Sequence, residues 1–123
     1  MGNKIYSILF YASDLSKTLE FYKKLGFSAE LSEGTVRVAF DNVKLAFVDE
    51  NKTEIKKESG MKPKGLGVFT YVKVDNVDEY YKSLVEKGIH TPSEPKDWPW
   101  GKREFAVKDP DGYKLIFFSD VSI

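Results

Sequence analysis

The 123-residue chain sets nineteen basic against nineteen acidic side chains, and it is 41% hydrophobic and 15% aromatic. This is enough apolar material for one domain to bury a core without cross-links, and the absence of cysteine excludes disulfides, thiolate nucleophiles and thiolate metal sites. The balanced charge gives no general footprint for nucleic acid or anionic lipid. No apolar run reaches bilayer length and no apolar leader follows Met1, so a cytoplasmic location without nucleic-acid or membrane partners is expected.

In chain order, the first element is a strand over Ile5–Ala12, rich in β-branched and aromatic residues. Asp14 then supplies a helix N-cap, whose carboxylate accepts an otherwise orphaned backbone N–H. Leu15, Leu19, Tyr22 and Leu25 follow at helical spacing, and Gly26 ends the helix. Three short strands come next, over Phe27–Leu31, Thr35–Phe40 and Val43–Val48, with turns at Glu33-Gly34 and Asp41-Asn42. The stretch from Asp49 to Gly65 is charged and nearly free of apolar residues, as suits a linker.

The pattern then recurs at a constant offset of about 62 residues, the mark of an internal repeat. Gly67–Val74 matches the first strand, Asn76 matches Asp14, Val77 matches Leu15, Gly88 matches Gly26 and Ile89 matches Phe27. Lys102–Lys108, the turn Asp109-Pro110-Asp111-Gly112 and Tyr113–Ser119 complete the second half. The expected fold is α+β: two βαβββ modules, residues 4–48 and 66–120, joined by a linker over 49–65 within one domain. Helices cover one face of each sheet, so the two modules together should form a curved, eight-stranded mixed sheet with a concave face.

Ser13-Asp14-Leu15 with Glu20-Phe21-Tyr22-Lys23-Lys24-Leu25-Gly26-Phe27 resembles the opening of the glyoxalase/bleomycin resistance protein/extradiol dioxygenase superfamily, the vicinal oxygen chelate fold. Trp100-Gly101-Lys102-Arg103-Glu104-Phe105 and Asp109-Pro110-Asp111-Gly112-Tyr113 resemble its C-terminal signature. The resemblance implies a metal ligand on the first and last strand of each module, at positions occupied here by Ser7, Ala46, Phe69 and Ile116. None of these can hold a divalent ion as imidazole or carboxylate would. His90, the single histidine, follows the second helix without a ligand partner at useful spacing and reads as an exposed turn residue. The resemblance is therefore closest to the metal-free, bleomycin-resistance-like branch, with no cofactor and with homodimerisation expected.

Strand alternation puts Ser7, Leu9 and Tyr11 on one face, with Phe69, Tyr71 and Lys73 as their counterparts. Lys44, Ala46, Lys114, Ile116 and Phe118 join them if the ligand-equivalent positions line the cavity. Trp100 is, by resemblance, a stacking wall for a ligand; equally, it and Trp98 could cap the sheet end or fill a dimer interface. Arg37 and Arg103, the two arginines, could each anchor an anionic group or pair with surface carboxylates. Glu104 faces away from Arg103 and reads as structural. The function expected is binding of an apolar or aromatic small molecule through Ser7, Tyr11, Arg37, Ala46, Phe69, Tyr71, Trp100, Arg103 and Ile116, with no catalytic residue assigned. A metal-dependent lyase or dioxygenase with unrecognised ligands, a metal-free isomerase-type enzyme and a regulatory role with an empty pocket remain as alternatives.

Overall fold

A computed structural model of the chain describes residues 2–52 and 64–121. They form two compact units, split after residue 62. The first unit contains β1 (Ser7–Ala12), α1 (Leu15–Lys24), β2 (Ser28–Ser32), β3 (Thr35–Ala39) and β4 (Lys44–Asp49). The second contains β5 (Phe69–Lys73), α2 (Val77–Glu86), β6 (Lys96–Asp97), β7 (Lys102–Lys108) and β8 (Lys114–Asp120). The eight strands fall into two hydrogen-bonded ladders of four, ordered β1-β4-β3-β2 and β5-β8-β7-β6. In each, the last strand runs parallel to the first and antiparallel to its other neighbour, so both sheets are mixed.

The two helices start and stop by the same chemistry. Asp14 and Asn76 are extended N-caps, φ −149° and −138°, and their side chains accept from the amides of Lys17 and Glu79 at 3.2 and 3.1 Å. At the other end, Phe27 and Ile89 donate to the carbonyls of Tyr22 and Leu84, closing a wide turn over left-handed Gly26 (φ 97°) and Gly88 (φ 78°). The hairpin between β2 and β3 has a two-residue loop, and both Glu33 (φ 52°) and Gly34 (φ 73°) are left-handed. That geometry suits the strands' twist but favours Asn or Gly over Glu.

Each helix packs on one sheet face. In the first unit Thr18, Tyr22 and Leu25 are buried with Phe10, Ala12, Val36, Val38, Leu45 and Phe47. The Tyr22 ring lies 4.9 Å from Phe47, which stacks on Phe10 at 5.0 Å. In the second unit Val77, Leu84 and Ile89 are buried with Phe105, Val107, Leu115 and Phe117. Tyr80 meets Phe117 at 4.7 Å and Tyr81 meets Phe105 at 5.3 Å, as bulk between helix and sheet requires. Full burial of each such side chain contributes about 1.5–3 kcal/mol.

The strand ends differ by one or two residues from the sequence reading, because ladder partners set them: β1 begins at Ser7, opposite the first residue of β4, Lys44. Strand β6, two residues long, had no pattern to announce it. Of the linker span 49–65, Asp49 ends β4, and residues 53–63 lie outside the described residues. The Asp109-Pro110-Asp111-Gly112 segment is a turn: Asp109 Oδ1 accepts from the amides of Asp111 and Tyr113 at 2.9 and 3.0 Å. Among the described residues no helix is long and apolar enough to cross a membrane.

Candidate functional site

Opposite its helix, each sheet has an open face, and strand register determines what stands on it. In the first unit Leu9 pairs with Ala46, which pairs with Arg37; Ser7 pairs with Lys44, and Tyr11 with Val48. Residues directly opposite in a ladder share a face. A cavity of about 230 Å³ opens on this face, lined by Tyr6, Ser7, Leu9, Thr35, Arg37, Lys44, Ala46 and Val48. Ser7, Arg37 and Ala46 are therefore brought together, and Tyr11 stands on the same face beyond the cavity lining. Arg37 is half-buried and donates from one guanidinium nitrogen to the Ser32 carbonyl at 3.4 Å.

In the second unit Tyr71 pairs with Ile116, and Ile116 with Ala106; Phe69 pairs with Lys114, and Glu104 with Phe118. A cavity of about 340 Å³ is bounded by Ser93, Glu94, Lys96, Trp98, Glu104, Phe105, Ala106 and Ile116. Its most distinctive group is Glu104, a carboxylate only 7% exposed. Glu104 accepts from the Trp100 indole N–H at 2.6 Å and from the Tyr71 hydroxyl at 3.3 Å. The Tyr71 phenol is pushed above its ordinary range by loss of hydration and then by the Glu104 charge and hydrogen bond. Trp100 stacks on Trp98 with ring centroids 4.8 Å apart, and the Lys96 ammonium covers Trp98 at 4.0 Å. Trp98, rather than Trp100, lines the cavity. Phe69 and Tyr71 stand on the open face outside that lining and are 55% and 46% exposed.

Arg103 does not join them. It lies one residue from Glu104 on β7 and so points to the other sheet face, where its guanidinium grips Asp78 of α2 at 2.9 and 3.0 Å and Asp97 of β6 at 3.2 Å. The structure thus shows the ion-pairing alternative for Arg103, which ties helix and edge strand to β7 and lies outside the cavity lining. The Arg103 hydrogen bonds hold the Asp78 carboxyl below its usual range, and the two carboxylates raise the Arg103 guanidinium.

Glu104, read from the sequence as structural, borders the second cavity, and the sequence carried a signal for the face it takes. With Lys108 opposite Lys114 across the tight turn, counting back along β7 puts Ala106 opposite Ile116 and Glu104 opposite Phe118. Glu104, not Arg103, thus shares a face with Ile116.

The positions that the resemblance assigned to metal ligands, Ser7 and Ala46 in one unit and Phe69 and Ile116 in the other, offer one hydroxyl, a methyl, a phenyl and a butyl group. That donor set does not fit a divalent cation. Among the described residues no group of three or more His, Cys, Asp or Glu side chains could hold a metal ion.

Residues 4–117 match the model of the "Glyoxalase/Bleomycin resistance protein/Dioxygenase superfamily". A bleomycin resistance protein from Geobacillus stearothermophilus is 29% identical over 119 residues, covering 88% of this chain and 90% of its own. A glyoxalase/bleomycin resistance protein/dioxygenase crystal structure from Nocardioides superposes with a TM-score of 0.80 at 25% identity, covering 99% of this chain and 86% of that one. A bleomycin-binding protein crystallised with bleomycin shares the fold, with a TM-score of 0.70 at 21% identity over 97% of this chain and 99% of its own.

Proposed function

Because the chain belongs to the glyoxalase/bleomycin resistance protein/dioxygenase superfamily, we propose that it is a metal-free cytoplasmic protein that binds an apolar or aromatic small molecule on its open sheet faces. The observation that carries this reading is the pair of cavities, each floored by a sheet face without a covering helix. Leu9 lines the first cavity 59% exposed, and Phe69 and Tyr71 stand on the second open face beside its cavity, 55% and 46% exposed; apolar residues left uncovered next to a cavity suit a ligand. The likeness to a bleomycin resistance protein supports recognition of a small molecule. Bleomycin itself is disfavoured, since it is cationic and the chain has no acidic excess to attract it.

Titrating the purified protein with a panel of hydrophobic aromatic compounds tests this, with Trp98 and Trp100 as reporters. Saturable changes in tryptophan emission are expected; a flat response across the panel would overturn the reading. Elemental analysis should find less than one equivalent of divalent metal per chain, and a retained equivalent would defeat the metal-free claim.

Homodimerisation is part of the proposal. Edge strands β1 and β5 expose Ile8 and Leu9, and Phe69 and Tyr71, which leaves apolar side chains for a second copy to cover. A metal-free enzyme is the second reading, and Glu104 favours it, being a buried carboxylate beside a cavity. The two separate on product analysis: a binding protein returns its ligand chemically unchanged after prolonged incubation.

A further inference from the structure

The two cavities differ in charge, and the difference specifies what the first one takes. Its lining contains two cations, Arg37 and Lys44, two hydroxyls, Ser7 and Thr35, and the phenol of Tyr6, with no carboxylate among them. The second cavity mixes Glu94 and Glu104 with a single lysine. The whole chain is neutral, so the cationic, carboxylate-free lining is a local arrangement and not a reflection of composition.

Arg37 is the centre of this arrangement. Among the described residues it makes no ion pair, and its one hydrogen bond is the 3.4 Å contact to the Ser32 carbonyl. Its cross-strand partner Glu30 is exposed on strand β2 and lies outside the cavity lining. Arg103 shows what a satisfied guanidinium looks like in the same protein, with two carboxylates engaged. Lys44 holds its ammonium 5.1 Å from the Tyr6 ring centroid, a placement that a stronger partner can displace. Between Arg37 and Leu9 the row is filled only by Ala46, and its small methyl leaves room before the guanidinium. An arginine fork matches a planar carboxylate bidentately, and a nearby ammonium adds a point charge.

We propose that the first cavity recognises an anion: Arg37 and Lys44 bind the carboxylate of an amphipathic small molecule whose apolar body lies along Leu9, Ala46 and Val48. This deepens the small-molecule reading and rests on it.

Calorimetric titration with 1-naphthoate and with its neutral isostere 1-naphthamide tests the proposal, with methyl NMR shifts of Leu9, Ala46 and Val48 locating the site. The wild-type protein should bind naphthoate at least tenfold more tightly than naphthamide, with shifts at those methyls. Arg37→Gln should abolish that preference while leaving naphthamide affinity within about twofold, and Arg37→Lys should keep part of it. The second variant also guards against a folding defect, which circular dichroism would show. Equal affinities for the two probes in the wild-type protein, or a preference unchanged in Arg37→Gln, overturn the anion site and leave small-molecule binding standing. Absence of binding by both probes overturns the anion site, while the response to the aromatic panel decides small-molecule binding separately.

Discussion

Glu104 links two side chains, Trp100 and Tyr71, through one carboxylate, and its charge is felt by Tyr71. Glu104→Gln removes the charge and keeps one acceptor oxygen, which the Trp100 indole N–H can use, while the amide NH2 can donate to the Tyr71 hydroxyl. The Tyr71 phenol should then titrate closer to its ordinary value, while part of the upward shift persists because lost hydration is its largest cause. Tyrosine-selective carbon NMR across the alkaline range measures it; an unchanged midpoint would break the proposed coupling. On the other sheet face, the Asp78 carboxyl is held below its unfolded-state value by Arg103. Its stabilisation is complete above about pH 4 and is lost as pH falls through the lower folded-state value. Both side chains are substantially exposed, 35% for Arg103 and 50% for Asp78, so the pair contributes at most about 1 kcal/mol. Urea unfolding of Asp78→Asn should show a loss of that size at pH 7 that shrinks towards pH 3. The residue scale is where sequence reading was least sure. Alternation separated Arg103 from Glu104 correctly, but only ladder register shows which of them meets the open face.

Secondary-structure elements were far more legible, because their signals are local. The caps Asp14 and Asn76 and the terminating Gly26 and Gly88 act within a few residues of where they are read. Replacing either cap by alanine should cost about 1 kcal/mol in chemical denaturation. Gly26→Ala or Gly88→Ala should cost a similar amount, about 1 kcal/mol, since a Cβ disfavours the left-handed conformation. Strand β6 was illegible for the converse reason. Lys96 and Asp97 have no alternation of their own, and they become a strand only because Lys96 pairs with Glu104 and Asp97 with Arg103. Thr18 shows another limit of pattern reading: it occupies a fully buried helix position although its hydroxyl finds no hydrogen-bond partner among the described residues.

For the whole molecule, the duplicated plan was visible in the constant offset, and the two ladders repeat it down to register. Ser7 opposes Lys44 as Phe69 opposes Lys114, and Leu9 opposes Ala46 as Tyr71 opposes Ile116. What the repeat could not convey is divergence between the halves: one open face gathers Arg37 and Lys44, the other Glu104 and two stacked tryptophans. If the protein dimerises as proposed, sedimentation at micromolar concentration should give twice the 14.0 kDa protomer mass. A saturating ligand should also raise the melting temperature, with about 2.7 kcal/mol of added stability at a hundredfold excess over its dissociation constant.

The hairpin that precedes Arg37 has a consequence for how this protein can change. Glu33 is a side-chain-bearing residue in a left-handed position where asparagine or glycine would be more comfortable. The chain therefore holds unused tolerance close to its arginine-bearing strand. An asparagine at that corner would offset destabilising changes on the open face, leaving the floor of the first cavity open to alteration for new ligands.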